Sequence, residues 1–302
     1  MSAREQSLSG LMTHDPDARM KRWRPESAVW LLCLPALLII TPFLVACLYM
    51  LRFSVSADTG SIDGFSLQAY AELAEPYFLR SVWLTLKLAA SSTVIVLLLA
   101  VPLAIVIVTT RSASWRRLMT VVVLLPMILN LLIQSYGWIL LLGPAGAINT
   151  TLQQLGIVER PLILLFNEKG VLLGLVQTAL PLAVFPLMSS MRAVSQEYLE
   201  AASGLGASHW RSFVDITLPL LKPGLIGAGS IVFAFNASAF AVPLLLGGRR
   251  VRMLGLAIRD MISPLFNWSG AAAGGMILIL IITLMLVLST WLVSRSDMRG
   301  MP

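Results

Sequence analysis

The sequence predicts an all-α polytopic membrane protein with six transmembrane helices, and three observations carry that prediction. Of the 302 residues, 57% are hydrophobic and 12% charged, against roughly 25% charged in soluble domains. The charges are segregated, leaving uncharged runs at 27–51, 88–110, 118–158, 170–191, 223–248 and 261–294, each longer than the roughly 20 apolar residues that cross a hydrocarbon core. Those runs are continuously apolar, whereas a membrane barrel alternates apolar and polar residues in short segments, so the form is helical.

A polar tail, 1–29, precedes a membrane domain at 30–293. About 26 polar residues with four acids come before the first apolar run, and Trp30–Leu51 exceeds a signal peptide's apolar core, so it stays as the first span, about 30–51. Cys33 and Cys47 lie in it and read as small buried hydrophobes rather than a disulfide or metal site. His14 and His209 are too few to build a metal site. The second span is at about 84–110. Asp58-Thr59-Gly60 and Asp63-Gly64 mark turns in the loop before it.

The run 118–158 is too long for one helix, and Gly143-Pro144-Ala145-Gly146 breaks it, which leaves 118–142 as the third span. Beyond the break, Ile148, Leu152 and Leu155 form the apolar side of a short helix that Gly156 stops. The fourth span is at about 170–191 and the fifth at 223–247. Met261–Asn267 carries Pro264 and reads as loop, so the sixth span is at about 272–293, followed by a tail, 294–302. Asn149-Thr150-Thr151 and Asn267-Trp268-Ser269 match the glycosylation pattern, which in so short a form arises mostly by chance.

Charge counting sets the orientation. The N-terminal tail, the 110–117 loop, the 192–222 loop and the C-terminal tail hold thirteen Lys and Arg, and the opposite side eight. The positive-inside rule therefore places both termini and the 192–222 loop in the cytoplasm. Juxtamembrane cations near lipid account for the net charge of +7 without any nucleic-acid partner. Four of the eight outer cations, Arg249, Arg250, Arg252 and Arg259, crowd the last outer loop.

All fifteen Asp and Glu lie outside these spans, and Lys87, near an interface, is the one basic or acidic residue within them. Ion-coupled carriers generally need intramembrane carboxylates, which weighs against the alternative of a stand-alone secondary carrier or channel. The chain has no Gly-rich phosphate loop followed by Lys and Ser or Thr, and no His, Asp or Cys constellation at a bilayer face. No catalytic and no metal-ligating residue is expected. Energy for transport would have to arrive from a partner, and the 192–222 loop is the internal connection large enough to receive it.

That loop has the makings of a helical hairpin. Ser195 can cap a helix over Gln196–Leu205 on which Tyr198, Leu199 and Ala202 cluster. Ala201 and Ala202 leave little bulk against a partner's groove, and Gly206 permits a sharp turn without a Cβ penalty. Ser208–Thr217 reads as a second short helix with Trp210, Phe213 and Val214 for packing. Leu218-Pro219 through Pro223-Gly224 would then redirect the chain into the fifth span.

Glu200-Ala201-Ala202, Gly206 four residues on, and Leu218-Pro219 thirteen beyond that resemble the EAA loop of membrane subunits in binding-protein-dependent ABC importers. The similarity extends through Tyr136-Gly137-Trp138, Gly146, Asn149, Gly174-Leu175-Val176, Leu180-Pro181, Phe233-Ala234, Phe240, Val242-Pro243 and Leu245-Leu246-Gly247-Gly248. These features look most like the spermidine/putrescine branch, and the six-span pattern matches from about 30 to 295. The resemblance implies the ABC type I importer permease fold in a bacterial inner membrane. It further implies a second, related permease subunit, a periplasmic substrate-binding protein, and two ATPase subunits that bind the ATP and Mg, with no cofactor in this chain. The EAA helix would sit in an ATPase cleft, Glu200 supplying the polar contact and Gly206 the turn.

A path for a polar solute needs polar groups in apolar spans. Asn130, Gln134, Ser135 and Tyr136 in the third span, Gln177 and Thr178 in the fourth, and Asn236 and Ser238 in the fifth are the candidates. Interhelical hydrogen bonding uses the same residue types and is an equal alternative for each. Asn130 and Gln134 share a face at i and i+4. Trp138 and Phe240 are gate or packing residues. Polyamine-type relatives often carry a basic residue where Gln134 stands, and no span carboxylate is available to pair a polyammonium ion. Selection would then rest with the binding protein or the other permease, leaving opines, amino-acid derivatives and organophosphonates open beside polyamines.

Overall fold

The computed structural model describes residues 25–57, 64–263 and 265–298, and every regular element among them is a helix. The turn signals at Asp58-Thr59-Gly60 and Asp63, Pro264, and the outer parts of both tails lie outside the described residues. The chain divides into two units, Met1–Met50 and Leu51–Pro302.

The first unit is represented by α1 (Pro25–Ser54), which runs on to the start of the second. Its part from Leu34 onward is long and apolar enough to cross a bilayer. Thr41, polar within this stretch, turns its hydroxyl onto the Leu37 carbonyl at 2.7 Å, so its donor is satisfied within the helix.

In the second unit a short α2 (Gln68–Glu72) precedes α3 (Pro76–Thr109). Pro76 opens α3 where a missing amide costs nothing. Its 34 residues reach about 50 Å, so α3 extends beyond the roughly 30 Å hydrocarbon core, and its first turns, which the sequence left in a loop, are helical. Lys87 then sits level with the start of α7 (Glu168–Ala193), where its Nζ meets Glu168 at 2.6 Å.

The core forms where α3, α7 and α10 (Leu218–Ala237) meet. Ala100 and Ala104 face Ala179, Ala183 and Ala228 there, among Val96, Val184, Leu187 and Val232, all essentially inaccessible. Lipid tails are as apolar as leucine, so these helices gain by close van der Waals approach, which small side chains allow. A second cluster holds the other half of α7: Val171 and Leu175 pack with Leu88, Leu142, Val242 and Leu246. The last crossing is α12 (Trp268–Met298), whose first turn Asn267 caps through a 2.8 Å bond from Gly270 N.

Three expected boundaries are revised. The span at 118–142 is two helices, α4 (Ala113–Ile128) and α5 (Leu131–Leu142), because Asn130 takes an extended conformation (φ −60°, ψ 135°) and caps Leu132 N with its own side chain at 2.8 Å. Asn favours such caps over helix interiors, and Pro126 has already weakened the end of α4. The span at 223–247 ends at Ala237, and Pro243–Gly247 forms a separate π-helical turn, since Pro243 cannot donate to a continuing ladder. The connection expected at 248–271 contains α11 (Leu254–Ile262), seated by buried Leu254, Leu256 and Ala257.

After α5, α6 (Ala147–Gln154) forms as the sequence suggests. Gly146 makes the return possible, because a Cβ there would lie 2.6 Å from the carbonyl oxygens of Leu140 and Leu141.

Candidate functional site

The 192–222 region begins with α8 (Gln196–Gly204), and Ser195 caps it by accepting from Glu197 N at 3.2 Å. Its end is a fully formed Schellman closure. Gly206 N donates to Ser203 O and Ala207 N to Ala202 O, both at 3.0 Å, which satisfies carbonyls the helix leaves free. Gly206 has φ +82°, a conformation that costs other residues about 1–2 kcal/mol. A Cβ on it would meet nothing within 4 Å, so its requirement is conformational.

Glu200, Ala201 and Gly206 are exposed, while Ala202 is buried. The apolar residues beside them are open as well: Leu205 is 90% and Trp210 74% accessible. Trp210 leans on Phe213 with ring centroids 5.9 Å apart.

The return limb differs from the expected second helix and bend. A short α9 (His209–Ser212) passes through a π-helical turn, Phe213–Thr217, directly into α10. Thr217 and Leu218 are both right-handed helical, and Leu218 N reaches the Phe213 carbonyl. Pro219 would press its ring on the carbonyl four residues back in a regular α-helix; a widened turn just before it absorbs that conflict. Leu218 is half-buried and Pro219 exposed. The hairpin's second limb and the fifth crossing are one helical stretch, Trp210–Ala237.

The polar span residues fall into three settings. Asn130 and Gln134 frame the α4–α5 break: Asn130 caps α5, and Gln134 Nε2 donates to the Pro126 carbonyl and, at 2.8 Å, to that of Leu129. Gln134 Oε1 is buried without a protein partner. Gln177, on α7, accepts from Trp138 Nε1 at 3.2 Å, which ties α5 to α7. Asn236 is fully buried and donates to Ser92 Oγ, and Thr178 returns its hydroxyl to the Gly174 carbonyl. Tyr136 and Phe240 are exposed, at 59% and 49%.

Asn149, which the sequence marks only in a glycosylation pattern and in the family resemblance, has a framework role. It is fully buried, its Oδ1 accepting from Leu162 N at 2.8 Å and its Nδ2 donating to the carbonyls of Gly143 and Leu162 at 2.9 and 3.1 Å. It pins the loop beyond α6 to the end of α5.

A bundle of helices long and apolar enough to cross a membrane, with one interrupted crossing and a helical hairpin, defines a multi-pass membrane protein. Residues 96–297 match the family described as binding-protein-dependent transport system inner membrane component, and the chain belongs to it. It is 31% identical over 231 residues to the spermidine/putrescine transport system permease protein PotB of Salmonella typhimurium (strain SL1344), covering 76% of this chain and 80% of that one. To the molybdenum transport system permease protein ModB of Azotobacter vinelandii it is 32% identical over 161 residues, 52% of this chain and 70% of that one. The fold matches a chain of a bacterial ABC transporter for alginate with a TM-score of 0.75 at 16% identity, over 90% of this chain and 96% of that one. The protein is an inner-membrane permease of the binding-protein-dependent ABC importer type.

Proposed function

We propose that the chain forms half of a translocation path for a small polar solute of polyamine type, and that α8 and its exposed turn couple it to a separate ATPase. The carrying observation is the hairpin: Glu200, Leu205, Gly206 and Trp210 stand exposed on a limb that continues into α10. Tyr136 and Phe240 line the path, and Asn130, Gln134, Gln177 and Asn236 frame it. Both termini and the hairpin lie in the cytoplasm, as the arginine count supports. A second permease completes the path, a periplasmic binding protein delivers the solute, and two ATPase subunits bind ATP and Mg. The likeness to PotB supports the polyamine assignment, and the likeness to ModB shows how far substrates diverge at similar identity. The carboxylates in these helices stand at their ends, Glu168 paired with Lys87 and Asp215 with Arg211, so the binding protein carries most of the selectivity.

Co-expression of the chain with its genomic neighbours tests this reading. An ATPase and a binding protein copurify, uptake of labelled spermidine or putrescine requires ATP, and Glu200→Arg abolishes ATPase capture while membrane insertion persists. Uptake by the isolated chain driven by an ion gradient alone would sink it.

A further inference from the structure

Where the first turns of α4 pass the last turns of α7, on the same side of the protein as α8, a cleft of about 440 Å³ opens. Arg116 and Arg117 from α4 and Arg192 from α7 line it, and Val121, Phe185 and Met188 form an apolar wall. No acidic side chain lines the cleft, and among the described residues these arginines have no ion-pair partner. Three like charges around one concavity repel one another and favour an anion between them. The guanidinium fork suits phosphate oxygens in particular.

We propose that this cleft binds the phosphate headgroup of an anionic phospholipid, with phosphatidylglycerol as the model ligand. Two features favour a lipid over free phosphate. Arg116 and Arg117 lie in the first turns of α4 and Arg192 in the last turn of α7, the ends that the charge count assigns to the cytoplasmic face, where basic pockets between helices recruit anionic lipid. The wall of Val121, Phe185 and Met188 has no role toward a bare inorganic anion, yet it continues from the charged rim as an acyl chain continues from its headgroup. The assignment is independent of the transported solute.

The test uses the full chain in a neutral detergent, with thermal unfolding followed as phosphatidylglycerol, phosphatidylcholine or inorganic phosphate is added. Phosphatidylglycerol is expected to raise the midpoint in a saturable way and the other two to leave it unchanged. Arg116→Gln/Arg117→Gln/Arg192→Gln is expected to weaken the apparent affinity at least about tenfold, equivalent to about 1.4 kcal/mol. Arg192→Gln alone removes one cation, leaves orientation to the rest, and is expected to weaken it about threefold, which decides the matter if the triple variant does not insert. Wild-type affinity in the variants, or an equal response to phosphatidylcholine, overturns the proposal. An equal response to inorganic phosphate overturns the lipid assignment.

Discussion

Asn236 donates its side-chain amide to Ser92 Oγ at 2.8 Å, joining α10 to α3 through two fully buried side chains, and its own Oδ1 has no protein partner. Removing one member of such a pair leaves a second polar group unsatisfied, a cost of about 1–3 kcal/mol. Ser92→Ala is therefore expected to destabilise the chain more than Ser92→Ala combined with Asn236→Leu. Unfolding in lipid–detergent mixtures measures both, and an additive double variant would count against the pairing.

Gly206 is limited by backbone conformation and not by space. Gly206→Asn, which tolerates a positive φ, should retain more ATP-dependent uptake than Gly206→Val, with both variants inserting normally. Equal uptake in the two would mean that the turn does not shape the docking surface.

Gln134 supplies donors to two carbonyls at the α4–α5 break. Gln134→Leu is expected to lower stability by about 1–3 kcal/mol, whereas Gln134→Lys keeps a donor in place and should lose less.

Asn149→Ala removes the bonds that hold Leu162 and Gly143. The expected result is a loss of about 2 kcal/mol or more, together with faster protease cleavage between Leu155 and Phe166. Unchanged cleavage would show that the surrounding loop holds itself.

Crossings were legible in the sequence because burial in lipid demands long uncharged runs, and those runs need no tertiary information. The hairpin was legible for a different reason: Ser195 and Gly206 act locally, as cap and turn, within a few residues of the groups they satisfy. The break at Asn130 was missed because hydropathy is blind to a cap inside an apolar run, although Pro126 and Asn130 together were a readable stop and start. Leu218-Pro219 was misread as a bend because a proline after a polar stretch ordinarily begins a helix; what distinguishes it here is the widened turn, which depends on the backbone. Asn236 reads equally as a solute contact or an interhelical hydrogen bond by residue type, and its partner Ser92, 144 residues away, is visible only in the folded chain.

The π-helical turn at Phe213–Thr217 amounts to one residue more than a regular helix would need. A turn closed i→i+5 takes one residue more than an α turn for about the same revolution, so deleting one residue there would restore the regular ladder and leave Trp210 on nearly the same side relative to Asn236. The orientation of the hairpin tip is thus indexed to the face that α10 shows α3. A partner that turns the tip would have to turn the crossing with it.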